Sequence, residues 1–180
     1  MRTRFGIPDQ CPVLVYHGTY SYPPNREALQ IFADILLPGL QQKGLNCHLL
    51  AIGKDPPSSA PHPRIHLTGS VDHLAPWLKA ADLSVVPLVD GGGTRMKIID
   101  CFAASLPVVS TSKGIEGIPV EPGKQAVVLD DWDPFMSAIV DLWNNPEEAG
   151  KLAGAGRAMA DQLDWDAAAG KYLSIYSALG

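Results

Sequence analysis

The residues best equipped for chemistry stand together in Asp90-Gly91-Gly92-Gly93-Thr94-Arg95-Met96-Lys97-Ile98-Ile99-Asp100, directly after the apolar run Val85-Val86-Pro87-Leu88-Val89. Glycines let a backbone approach a ligand closely. The pattern predicts a helix opening at Thr94 with Arg95 and Lys97 in its first turn. The N-terminus of a helix presents unpaired N–H groups to an anion, and two cations beside it strengthen the attraction. Asp100 adds a carboxylate one turn on. Together these groups suit a phosphate-bearing ligand held at the end of a strand. The same residues also fit an ordinary loop followed by an i,i+3 pair of Lys97 and Asp100 on one helix face.

The whole chain narrows the choice. Its 180 residues, 46% of them hydrophobic, suffice for one core. A formal net charge of -5 argues against a nucleic-acid-binding surface, so Arg95 and Lys97 would be a local positive spot suited to a small anion. Cys11, Cys47 and Cys101 lie far apart in apolar surroundings with no CxxC or Cys/His spacing, which predicts free thiols in a reducing compartment. The N-terminal Met1-Arg2-Thr3-Arg4-Phe5 has no apolar signal core, and no apolar run approaches the roughly 20 residues needed to span a bilayer. These features point to a cytoplasmic protein, and nothing in the spacing of its histidines suggests a metal site.

Elements able to position the glycine-rich segment follow from the apolar runs. Strands are expected at Val13–Tyr16, Cys47–Ile52, Ile65–Thr68, Leu83–Val86, Pro107–Ser110 and Ala126–Leu129. Helical spacing links Ala28, Leu29, Phe32, Ile35, Leu36 and Leu40, and recurs at Leu74–Leu78, from Thr94, at Phe135–Trp143, Glu147–Leu163 and Trp165–Leu179. The proline-rich Asp55–Pro63 reads as a surface loop. Short apolar strands alternating with helices imply an α/β, doubly wound, Rossmann-like parallel sheet of about six strands flanked by helices. Gly18-Thr19, Gly53-Lys54, Gly69-Ser70, Gly91–Gly93 and Thr111–Gly114 each follow a strand, so all five should line one edge, where ligands of such sheets bind. No linker or composition break appears, and residues 1–180 read as a single domain.

The order of these pieces resembles the C-terminal, donor-binding half of GT-B glycosyltransferases, in the retaining group called family 4 or group 1. The resemblance runs from about Val13 to Leu179. It is carried by His17-Gly18-Thr19-Tyr20 with Tyr22-Pro23-Pro24-Asn25, by Ile65–Val71, and by Ala80–Leu88. The most specific part is Gly91–Asp100, followed by Leu106–Thr111 and Gly114-Ile115-Glu116-Gly117.

The resemblance implies a nucleotide-sugar-binding domain. Gly69, Ser70 and Val71 would meet the nucleobase through backbone groups, and Asp100 would bind the ribose hydroxyls. Gly91, Gly92, Gly93, Thr94, Arg95 and Lys97 would face the diphosphate and the transferred sugar, with Arg95 and Lys97 as the catalytic cations. Gly18 and Thr19 belong to the opening turn of the site. Glu116 fits a sugar contact or a turn cap equally. His17 lies near the same edge and reads as a hydrogen-bonded loop histidine rather than a catalytic one, for lack of a partner motif. Trp77 reads as core rather than base pocket.

Two departures from the family pattern stand out. Its two glutamates, seven residues apart, fall here on Gly92 and Asp100, and the Arg and Lys expected after the first strand are replaced by the uncharged Gly18–Ser21. Diphosphate binding would then fall on Arg95 and Lys97. The absence of an Asp-x-Asp motif fits a site that uses no metal or other cofactor. The expected function is the donor half of a retaining glycosyltransferase that moves a sugar from a nucleoside diphosphate sugar to an acceptor. A second reading is a non-catalytic nucleotide-sugar-binding or regulatory module, and a third is a sugar-nucleotide epimerase of the same architecture. A GT-B enzyme needs two halves. The N-terminal acceptor half is therefore an expected partner, the isolated half is expected to be inactive, and any peripheral attachment to a membrane would come from that other half.

Overall fold

The computed structural model describes residues 1–163, 169 and 173–177. Six strands form one parallel sheet: β1 (Val13–His17), β2 (His48–Ile52), β3 (Ile65–Gly69), β4 (Leu83–Val86), β5 (Val108–Ser110) and β6 (Val127–Val128). Their order is β3-β2-β1-β4-β5-β6, the doubly wound arrangement that the alternation of apolar runs implies. The first strand and its neighbours are almost wholly apolar and buried, as strands covered on both faces must be: Val13, Leu14 and Val15 have no exposure.

The helices are α1 (Pro23–Ile31), α2 (Leu37–Gln42), α3 (Ala75–Leu78), α4 (Met96–Ala103), α5 (Trp132–Asn144) and α6 (Pro146–Ala160). The single helix expected through Leu40 is interrupted by a π-helical segment at Phe32–Leu36. Pro38 stands just beyond it, in the first turn of α2. A proline has no N–H to give and crowds the carbonyl four residues back, and wider winding relieves both. Strand and helix ends otherwise differ from expectation by one to three residues: Pro107 precedes β5, β6 contracts to Val127–Val128, α5 begins at Trp132, and α6 runs from Pro146 to Ala160. The helix expected at Trp165–Leu179 lies largely outside the described residues.

Close approaches knit the helices to one another. Gly156 of α6 lies against Phe102 of α4, and Gly39 of α2 against Met136 of α5, leaving no room for a Cβ at either glycine. The three cysteines are free, and burial pushes the Cys47 and Cys101 thiols up to about 12. His48 and His66 stack in neighbouring strands with Nδ1 and Nε2 2.9 Å apart, and burial lowers both imidazoles below the usual histidine value. Trp77 belongs to the core. Among the described residues no helix is long and apolar enough to cross a membrane.

Because every strand runs the same way, the loops at Gly18, Gly53, Gly69, Gly91–Gly93 and Thr111–Gly114 share the carboxyl edge of the sheet. The chain crosses from one side of β1 to the other between β3 and β4, so a crevice opens above the β1–β4 junction.

Candidate functional site

Two clefts open on this edge. One, of about 280 Å³, is lined by Gly18, Gly92, Gly93, Thr94, Arg95, Lys97 and Asp100, with His17, Tyr22 and Asn25 opposite. The other, of about 290 Å³, is lined by Thr19, Gly53, Lys54, Ser70 and Val71. His17 and Gly18 belong to both. Of the residues singled out from sequence, Gly69, Gly91 and Glu116 line neither cleft. Gly69 accepts a hydrogen bond from the Gly53 amide, and Gly91 packs against Pro24 and Tyr22.

Backbone contact builds the floor. Gly53 has φ +144°, and its α-carbon sits so close to the Gly18 carbonyl that any side chain would collide with it. The loops after β1 and β2 are thus in direct contact, and the Gly18 amide donates to the Ile52 carbonyl at 2.9 Å. Gly92, by contrast, faces open space within the first cleft.

Arg95 corrects the sequence expectation. The helix opens at Met96, and Arg95 precedes it as a cap residue in the left-handed conformation, with φ +52°. Its side chain does not project from the first turn. It is 4% exposed and folds back under the loop, donating to the Gly91 carbonyl at 2.7 Å and the Gly92 carbonyl at 3.0 Å. A third bond, of 3.0 Å, joins it to Glu116. Nε is buried without a hydrogen-bond partner among the described residues. Glu116 also pairs with Lys113, which is the main reason its carboxyl sits below the usual range. Glu116 is therefore the counter-ion of the loop's arginine.

Lys97 and Asp100 likewise depart from the simple i,i+3 pair. Lys97 turns inward: Nζ donates to the Tyr16 hydroxyl and to Asn25 Oδ1, each at 2.7 Å. The Tyr16 hydroxyl donates in turn to Asn25 Oδ1 at 2.6 Å, and Asn25 Nδ2 donates to the Thr19 carbonyl at 2.9 Å. Among the described residues Lys97 joins no ion pair. Burial, seconded by the Arg95 charge, lowers its ammonium to about 7. Asp100 reaches His17 instead, with Oδ2 3.1 Å from Nε2. The histidine thus has the partner that no motif announced.

Tyr16, Tyr22 and Asn25 are participants that sequence reasoning missed. Tyr22 accepts a hydrogen bond from the Gly92 amide at 2.9 Å and so props the glycine loop. Asn25 is only 7% exposed although it stands in the first turn of α1. The signal lay in Tyr22-Pro23-Pro24-Asn25, where polar groups open a helix on the ligand edge, but Lys97, the partner of Asn25, comes from 72 positions away. No group of three or more His, Cys, Asp or Glu side chains among the described residues converges to hold a metal.

The arrangement offers an anion one under-neutralised cation, a second cation fixed beneath the loop, and open glycine backbone. It also offers a hydroxyl-bearing ligand one carboxylate at the rim. Residues 11–145 match the family described as "Glycosyl transferases group 1". A D-inositol 3-phosphate glycosyltransferase of Thermomonospora curvata is 29% identical over 106 residues, covering 58% of this chain and 24% of that protein. A sucrose-phosphate synthase from Thermosynechococcus elongatus superposes with a TM-score of 0.76 at 21% identity, over 99% of this chain and 48% of that one. The Anabaena protein HepE, crystallised in complex with UDP, superposes with a TM-score of 0.71 at 15% identity, over 89% of this chain and 46% of that one. The chain thus spans about a quarter of the curated relative and under half of each solved chain.

Proposed function

The chain belongs to the group 1 glycosyl transferases, and from that premise we propose that it is the nucleotide-sugar-binding half of a retaining, two-domain GT-B enzyme of family 4. The observation that carries this reading is Lys97: an ammonium held by neutral oxygens at the switch point of a parallel sheet, beside open glycine backbone and with no carboxylate partner among the described residues. Such a cation is incompletely compensated until an anion arrives. The UDP complex of the structurally similar Anabaena protein supports a nucleoside diphosphate as that anion.

In this reading the diphosphate lies along Gly92, Gly93 and Thr94, against Lys97, and the transferred sugar extends past the glycines. Asp100 takes the ribose hydroxyls, and the cleft at Ser70 and Val71 takes the base. As the glycosidic bond breaks, negative charge grows on the leaving diphosphate, and prepositioned cations and N–H dipoles stabilise it without reorganising. Lys97 does this directly. Arg95 contributes its positive field and the shape of the loop, because its terminal nitrogens are already committed to Gly91, Gly92 and Glu116. No step calls on a metal. The acceptor is held by an N-terminal half, and the reaction proceeds in the cytoplasm.

Calorimetric titration with UDP, GDP and ADP against the matching nucleosides tests the proposal, alongside an NMR assay of donor turnover in the presence of the partner half. Tighter binding of the diphosphate than of the nucleoside is expected, with a product anomer matching that of the donor. No preference for the diphosphate overturns the donor-site reading. Binding with no turnover in the two-half complex instead makes the domain a nucleotide-sugar-binding module.

A further inference from the structure

The two clefts meet at His17 and Gly18, the residues their walls have in common. A ligand that places its phosphates against Lys97 and its base against Ser70 and Val71 must therefore carry its middle portion across His17. In a nucleoside diphosphate that middle portion is the ribose.

His17 is built to act there. It closes β1, its side chain is 12% exposed, and its Nε2 lies 3.1 Å from Asp100 Oδ2. A carboxylate oxygen only accepts, so Nε2 must carry the proton and donate it, which fixes the imidazole tautomer. Asp100 itself is 41% exposed on α4 and has this one side-chain partner among the described residues. A short carboxylate at a rim would otherwise rotate freely, and a diol is gripped well only by an acceptor pair held in one orientation. The bond to Oδ2 holds the carboxylate so that Oδ1 and the remaining lone pairs of Oδ2 stay available.

We infer that His17 is a positioning residue for ribose recognition, donating from Nε2 to fix the Asp100 carboxylate at the junction of the two clefts. The inference rests on the donor-site reading above and adds to it a residue whose contribution passes through Asp100. It gives the site its means of telling a ribose diol from a deoxyribose.

Titration of the unchanged protein, His17→Ala, His17→Gln and Asp100→Asn with UDP, 2′-deoxy-UDP and inorganic pyrophosphate tests it. Expected is a fall of about tenfold in UDP affinity for His17→Ala, as for one lost hydrogen bond to a charged group. The ratio of UDP to 2′-deoxy-UDP affinity should move towards one, while pyrophosphate affinity holds. In His17→Gln the side-chain amide can donate to Oδ2 in place of the imidazole, and the ratio should recover. If His17→Ala keeps the ribose preference that Asp100→Asn loses, the inference fails and the donor-site reading stands. If all three ligands weaken together in His17→Ala, the histidine acts through the fold and the inference also fails. If the unchanged protein shows no ribose preference, the role of Asp100 falls and the inference falls with it.

Discussion

Lys97 and Tyr16, separated by 81 positions in sequence, meet with the ammonium nitrogen 2.7 Å from the phenolic oxygen and 4.1 Å from the ring centroid. Tyr16 is fully buried on β1, and burial raises its phenol well above the ordinary tyrosine value, so it stays neutral and offers a lone pair and a π face. Neutral partners stabilise an ammonium less than a carboxylate would. The lysine therefore sits at about 7, against an ordinary 10.5, mainly because it is desolvated.

A pH dependence follows whose sign is fixed. Between about 7 and 10.5 the unfolded chain holds a proton on Lys97 that the folded chain has released, so stability from this residue rises with pH across that window. A diphosphate beside Nζ favours the charged form, so binding above pH 7 should take up a proton and weaken as pH rises. Calorimetry in buffers of different ionisation enthalpy reads the uptake directly, and urea denaturation from pH 7 to 10 reads the stability slope. Lys97→Met should flatten the stability slope and remove this uptake. An uptake that persists in Lys97→Met would assign it to another group.

Arg95→Ala should cost both stability and diphosphate affinity. The guanidinium bonds two loop carbonyls and a carboxylate, and unpaired acceptors left under the loop cost about 1–3 kcal/mol. For a chain of this size the melting temperature should fall by roughly 2–12 °C. Arg95→Gly should lose less stability than Arg95→Ala, since φ +52° suits glycine. Equal losses in the two variants would show that the backbone conformation carries no strain.

Asp100→Asn should change the stability of the free protein by no more than about 0.5 kcal/mol, as for a half-exposed side chain. Nucleoside diphosphates should weaken whatever their base, because the proposed contact is to the sugar. Comparing UDP, GDP and ADP by titration checks this, and a loss confined to one base would move Asp100 to base recognition.

Gly53→Ala and Gly92→Ala should separate architecture from binding. A methyl at Gly53 strikes the Gly18 carbonyl and is further strained by φ +144°, so folding should suffer severely. A methyl at Gly92 meets nothing but the cleft, so thermal unfolding should be unchanged while nucleotide-sugar affinity falls. Normal affinity in Gly92→Ala would place the ligand elsewhere.

The sheet could be read from sequence because its strands are short apolar runs, the first three ended by glycine, a pattern that local chemistry controls. The residues of the site were legible as types but less so as pairs. Spacing makes Lys97 and Asp100 neighbours on one helix, yet β1 supplies each with its actual partner, Tyr16 for one and His17 for the other. Such pairings come from strand order, which no local window contains. Arg95 was hidden for another reason. Nothing in an arginine announces a left-handed backbone, or the three bonds its side chain makes beneath the loop. The π-helical segment at Phe32–Leu36 is masked by apolar spacing that continues that of the α-helix around it, and only Pro38 just beyond it hints at the change of winding.

The β1–β4 junction gives the site a mechanical meaning. β1 and β2 run in register through five pairs from Val13–His48 to His17–Ile52, whereas β1 and β4 share Leu14–Leu83 and Val15–Ser84. The reversal of strand order at β1–β4 divides the sheet into two three-stranded leaves, β3-β2-β1 and β4-β5-β6, with the crevice directly above their seam. Tyr16 and Asn25 belong to one leaf, Lys97 and Asp100 to the other, and their bonds cross the gap. A ligand lodged in that crevice is a rivet as well as a guest. It would resist any splaying of the leaves, and a strain that pries them apart would loosen the ligand in turn.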